Sequence, residues 1–327
     1  MRRLGVAAAR AVLLMCVSGH AQGVRMADEA DGGQGEAART DCAGIHDSMP
    51  PGALLDLLDP DAPADRRGLS LAAYLKAAEI KACPEYGYTI GLLHRFGPDM
   101  PGNLVPRDLD RARTLILAMA EAGYLQAYAD LAEMEMVHGR YREAMKWTQV
   151  YLYLAKNIQF PLAENGKATQ FQRSAYNGHL LARAEVVWRW QRPAVPRRVV
   201  SEDLTAYLAV HEERVASLIA LDKRVYGGSR LQQDLGAGPE IMQDGGECVL
   251  KPLDRIGAAT ASYLLEVQPS GHVTRILAEN FVPNIDTAEY LKACLRDYVF
   301  APYEGQRPLM TRISITYGST EGASLRR

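Results

Sequence analysis

The chain has almost no net charge: 37 Lys and Arg against 39 Asp and Glu leave −2 over 327 residues. Without a global basic field, charge-driven binding of nucleic acid or of an anionic surface is excluded, except through a local patch. The sequence also lacks the common catalytic motifs. It has no CxxC, so neither a zinc ribbon nor a thioredoxin-type site can be built. His211-Glu212-Glu213-Arg214 opens like HExxH, but Arg214 and Val215 stand where the second histidine is needed. Gly236-Ala237-Gly238 opens like a dinucleotide fingerprint, but Pro239 and Glu240 follow it, and neither GxSxG nor a P-loop occurs. Asp41, Asp47, Asp56, Asp59 and Asp61 form an acidic stretch without the Gly and Glu of an EF-hand. His46, His94, His138, His179 and His272 are scattered without ligand spacing. These absences predict a protein that is not an enzyme and carries no cofactor or metal.

Long apolar runs are scarce as well. The longest opens the chain: Arg2 and Arg3 precede an apolar stretch from Leu4 to Val17, and Gly19-His20-Ala21 supplies small residues for cleavage. This is the pattern of a secretory signal over residues 1–21. Arg10 interrupts the stretch, and a spanning helix needs about 20 apolar residues. Residues 22–40 are rich in Gly, Ala, Asp and Glu and are expected to be a disordered spacer. Removing the signal deletes Cys16 and leaves Cys42, Cys83, Cys248 and Cys294. Four cysteines allow three pairings, and four buried thiols are the alternative. If each half of the chain folds alone, Cys42–Cys83 and Cys248–Cys294 is the natural pairing. An exported protein meets the oxidising compartment that permits it.

At 327 residues the chain has room for about two domains, and its periodicity divides it that way. Residues 41–226 read as helical. Pro84 interrupts a first segment that runs from Leu69 to Ala82, and Tyr86 to Phe96 forms a second. Asp108 starts a helix that Gly123 ends. Leu125 to Val137 stops at Gly139, and Tyr141 to Ala155 follows. Gln170 to Trp190 and Glu202 to Tyr226 complete the series, separated by Pro193 and Pro196. The run Ala120-Glu121-Ala122-Gly123, Ala127, Leu131-Ala132, Gly139, Tyr141-Arg142-Glu143-Ala144 and Trp147 resembles the Sel-type and tetratricopeptide families of helical repeats. The resemblance implies an α-solenoid with a partner-binding surface. Trp147, Trp188 and Trp190 with Tyr141, Tyr151 and Tyr153 are expected to pack between helices. Arg183, Arg189, Arg192, Arg197 and Arg198 form a local basic patch around the tryptophan pair.

Residues 227–247, with their glycines and Pro239, read as a linker. In 248–318 the period changes to two. Tyr263, Leu265 and Val267 alternate with Leu264, Glu266 and Gln268, Pro269-Ser270-Gly271 turns the chain, and Val273, Ile276 and Leu277 continue it. Ala288, Leu291, Leu295 and Tyr298 then share one helix face up to Phe300-Ala301-Pro302. A last strand, Met310 to Tyr317, places Ile313, Ile315 and Tyr317 on one side and Arg312, Ser314 and Thr316 on the other. Residues 319–327 are expected to be a disordered tail.

The segment Val267 to Gly271 with Val273, the sequence Val299-Phe300-Ala301-Pro302, the turn from Gly305 to Pro308, and Ile313-Ser314-Ile315 together resemble the TonB carboxy-terminal domain family. The resemblance implies a small antiparallel sheet with one packed helix, and a tendency to bind envelope proteins. The fold class expected is thus a helical-repeat domain followed by an α+β domain. The function expected is a non-enzymatic, periplasmic interaction scaffold of a Gram-negative type envelope. Its partners would be envelope or periplasmic proteins, or a second copy of itself, and not nucleic acid. Met310, Arg312, Ser314 and Thr316 mark the strand expected to accept a partner segment. The alternative is a membrane-anchored energy-transducer variant for outer-membrane transport, in which the amino-terminal segment stays uncleaved and provides the only membrane contact.

Overall fold

The computed structural model describes residues 42, 44–159, 175–191, 193–226, 231, 235, 238–243 and 258–318. The proposed signal, the spacer, the tail, most of the linker, Cys248 and Arg192 lie outside the described residues. The architecture is mixed: a series of helices and two small antiparallel sheets. After a helical turn around residues 44–48 come α1 (Ala53–Leu58), α2 (Ala64–Ala78), α3 (Pro84–Phe96), α4 (Leu109–Glu121), α5 (Gln126–Val137), α6 (Tyr141–Leu154), α7 (Ala175–Trp190) and α8 (Arg197–Tyr226).

Each helix from α1 to α6 packs on its successor, and local chemistry sets where they begin and end. The break expected at Pro84 is present: α2 ends at Ala78, and Pro84 occupies the first turn of α3, where its missing N–H is harmless and its fixed φ suits the helix. Asp108 caps α4 by accepting from the amides of Asp110 and Arg111. Gly139 ends α5 at φ +71°, and the next amide, on Arg140, returns to the Glu135 carbonyl. Gly123 ends the turn after α4 at φ +96°, and the absence of a side chain there has a second use. A Cβ would stand 2.7 Å from the backbone of Leu218 in α8, so α8 lies directly on this turn. The last helix begins at Arg197, immediately after Pro196, rather than at Glu202.

The second half holds β1 (Ile241–Gln243), β2 (Ala258–Val267), β3 (Val273–Val282), α9 (Ile285–Leu291), β4 (Val299–Phe300) and β5 (Leu309–Gly318). The main sheet has the order β3-β2-β5, both pairings antiparallel. The Tyr263 side chain reaches across to donate to the Ala288 carbonyl of α9, and Ile313, Ile315 and Tyr317 are buried as the alternation predicts. The expected helix through Tyr298 is shorter than its apolar spacing suggests. It ends at Leu291, a 3₁₀ stretch (Lys292–Asp297) follows, and Val299 and Phe300 become a strand paired with β1. Three residues of the expected linker are thereby drawn into a second, two-stranded sheet.

Helices and sheet share one continuous apolar core. Phe96 of α3 stacks on Phe281 of β3 with ring centroids 4.0 Å apart, and α7 lies against β5 and β2. Trp147 and Tyr151 are buried between helices, whereas Trp190 is exposed. Among the described residues, no helix is long and apolar enough to cross a membrane.

Candidate interaction surface

The seam between helices and sheet is built from ionisable side chains. Asp130, in the middle of α5, is 1% exposed. Its carboxylate accepts from the Tyr88 hydroxyl at 2.6 Å, from the Asn280 amide of β3 at 2.7 Å and from the Arg95 guanidinium at 3.2 Å. Arg95 also donates to the Asn280 carbonyl oxygen at 3.2 Å, which closes a triangle across the seam. Burial holds the Asp130 carboxyl above its ordinary range, and the Arg95 charge and the hydrogen bonds from Asn280 and Tyr88 pull it back. Burial, reinforced by the nearby Asp130, pushes the Tyr88 phenol well up, so it stays a hydrogen-bond donor.

Two further pairs fasten the sheet. Arg312 of β5 clasps Glu279 of β3 through two nitrogens, at 2.7 and 2.9 Å, and also donates to the Leu231 carbonyl. Arg275 of β3 clasps Glu266 of β2 with two 2.9 Å bonds and reaches Asp59, just beyond α1, at 3.2 Å. The Arg275 hydrogen bonds hold the Glu266 carboxyl below its ordinary range against the opposing effect of partial burial, with help from Thr274.

These two carboxyls have opposite consequences in acid. Glu266 has a depressed folded-state value, so its contribution is present above the unfolded value near 4.5 and is lost as pH falls through the lower folded one. Asp130 has a raised value, so the folded state binds its proton more readily, and the cost of its buried charge fades as pH falls. In melting-temperature profiles between pH 6 and pH 2.5, Glu266→Gln should therefore show a shallower acid limb than the wild type. Asp130→Asn should show a steeper one.

The structure distributes the sequence-derived site residues as follows. Cys42 and Cys83 are joined as a disulfide. Cys294 is buried and also disulfide-bonded, with its partner outside the described residues, so the pairing with Cys248 has no description. Among the described residues, Cys42, Cys83 and Glu85 bring potential ligand atoms within 4.8 Å of one another, but the two sulfurs are already bonded to each other and offer no thiolate to a metal. Met310, Arg312, Ser314 and Thr316 lie along β5, an outer strand of the main sheet among the described residues. Ser314 is exposed and shares a 2.7 Å hydroxyl hydrogen bond with Ser262, while Thr316 meets Thr260 at 3.1 Å. Arg312 faces inward, with only 10% of its side chain exposed, and its bonds to Glu279 make it a fastener of the sheet. Arg183 likewise leaves the expected basic patch: it turns inward to Glu133 of α5.

Sequence reasoning missed the buried acids of α5. Asp130, Glu133 and Glu135 are at most 2% exposed, and Glu135 is held between Arg113 and Arg140. Acids on a helix are ordinarily solvated, and here arginines from α3, α4 and α7, Arg140 before α6, and Tyr88 and Asn280 make their burial tolerable. Compared with family models, with curated proteins and with solved structures, the chain matches none.

Proposed function

We propose that this is an exported, non-enzymatic interaction protein of the periplasm. It binds envelope proteins through repeat-type helices and a TonB-like sheet, with β5 as the edge that receives an extended partner segment. The observation that carries this reading is the position of β5: ten residues long, outermost in the order β3-β2-β5, with Ser314 open to solvent. An edge strand supplies a row of backbone groups that a partner can continue. Arg312–Glu279 and Arg275–Glu266 hold the sheet in one arrangement, which lowers the ordering cost of capture. The dense ionisable clusters around Asp130 and Glu135 are buried and mutually bonded, which favours a structural role for them over a catalytic one.

The test is photocrosslinking from position 314 of the intact protein in envelope extracts, beside a Ser314→Pro variant checked for retained folding by circular dichroism. The reading expects a discrete protein adduct from position 314 and its loss on adding an excess of unlabelled wild type. It also expects capture by the folded proline variant to fall at least tenfold. No adduct, or undiminished capture by that variant, overturns it. The mass of the mature protein tests export separately: a start near Gln22 agrees with it, and an intact Met1 favours the anchored alternative.

A further inference from the structure

The turn that joins α7 to α8 carries a surface that the β5 reading does not use. Trp190 ends α7 with 74% of its surface exposed, and Pro193 and Pro196 in the turn are exposed beside it. Burying the Val195 side chain fixes the turn from beneath. Arg189 precedes Trp190, and Arg197 and Arg198 open α8 just past Pro196; all three are exposed. Arg197 lies over the Trp188 ring, 4.6 Å from its centroid. Its charge meets Glu185 at 3.1 Å, and Arg198 meets Glu202 at 2.7 Å.

An exposed tryptophan is unfavourable in water unless something covers its ring. Trp190 is 74% exposed, and a rigid partner would need a pocket shaped to receive it. A fluid interface needs none: indole settles at the level of lipid headgroups, apolar on one side and wet on the other. The three arginines have the fork geometry that binds phosphate. Their present partners compete weakly, because both ion pairs are solvent-exposed on each side, and such pairs contribute little.

We infer that the α7–α8 corner is a docking site for the surface of an anionic phospholipid bilayer, with Trp190 entering the headgroup layer and Arg189, Arg197 and Arg198 meeting lipid phosphates. Binding of this kind is peripheral and reversible. It adds a second attachment point to the protein and is independent of whether β5 captures a partner.

The test uses the mature full-length protein and vesicles of phosphatidylcholine with 30% phosphatidylglycerol, against vesicles of phosphatidylcholine alone, read by flotation and by tryptophan fluorescence. The account expects flotation with the anionic vesicles only, a blue shift that Trp190→Ala removes, and release when salt is raised to 0.5 M. The lipid concentration for half-binding should rise about fivefold for each of Arg189→Ala and Arg198→Ala, since a basic residue near an anionic surface contributes on that scale. For Trp190→Ala it should rise roughly tenfold. All three positions are exposed, so the variants should melt as the wild type does. Failure to float with anionic vesicles, equal flotation with neutral ones, or unchanged binding by the variants overturns the inference.

Discussion

Replacing Asp130 with alanine should lower the stability of the protein by about 3–5 kcal/mol, the cost of leaving a buried charge without its partner. The reason is the number of groups that depend on this carboxylate. Arg95 is 7% exposed, so its guanidinium would keep a charge with no acid beside it. Tyr88 and the Asn280 amide would each lose an acceptor within 2.7 Å, in a place where water has little access. At roughly 2–4 °C per kcal/mol for a chain of this order, the melting temperature should fall by about 10 °C. Asp130→Asn should cost less, because an amide oxygen still accepts. The double variant Asp130→Ala/Asn280→Ala should be milder than the sum of its parts, by 0.5 kcal/mol or more, because both substitutions remove the same hydrogen bond. Additive losses would show that the two side chains act separately and that the triangle does not join helices to sheet.

The second large effect belongs to the disulfide. Cys42 and Cys83 are 41 residues apart, and closing a loop of that size stabilises by about 4 kcal/mol in the chain-entropy model. Cys83 stands immediately before Pro84, at the start of α3, and is fully buried. The bridge therefore ties the first helical turn of the described chain to the first turn of a central helix. Cys42→Ala/Cys83→Ala should lower the stability extrapolated from urea unfolding by about 4 kcal/mol and steepen the slope, because the unfolded chain loses a crosslink and exposes more surface. Reductant should then have a smaller effect on the variant than on the wild type, with the remainder due to the bridge of Cys294. An unchanged midpoint would mean that the amino-terminal turn is held by packing alone.

Both effects depend on contacts that differ in how visible they are in the sequence. Local punctuation was readable. Gly123, Gly139 and Asp108 mark helix ends by backbone chemistry that needs no neighbour, and they fall where the structure has them. The alternation in β5 was readable for a similar reason, since period two follows from the strand itself. The break before Pro84 was readable, but the next helix starts at Pro84 itself and not at Tyr86, because proline is tolerated in a first turn. The pairing of β1 with β4 was not visible at all. Ile241 meets Phe300 across nearly sixty residues, and nothing in a glycine-rich segment announces so distant a partner. The helix that stops at Leu291 shows the same limit, because its apolar spacing continues through Tyr298 while the chain turns aside to make β4.

The interaction surface divides in the same way. Ser314 and Thr316 could be placed on the solvent side of a last strand from alternation alone. That Arg312 is drawn inward could not, because its partner Glu279 comes from another strand and its place on the outer face matches that of Ser314 in every local respect. Arg183 and Arg189 are six residues apart on one helix. They lie on different faces of α7, and the one that meets α5 finds a buried glutamate while the other meets solvent. Asp130 is the extreme case. Its role requires α3, α5 and β3 at once, so the residue with the largest predicted effect carries no local sign of it.

Native-state hydrogen exchange on the mature protein tests most directly whether helices and sheet are one folded unit fastened at Asp130. Amides in the middle of α5 and of β2 should open with a common free energy, and Asp130→Ala should lower both by the same amount. If the β2 amides keep their full protection in that variant while those of α5 lose theirs, the sheet stands on its own and the seam does not bind the two together.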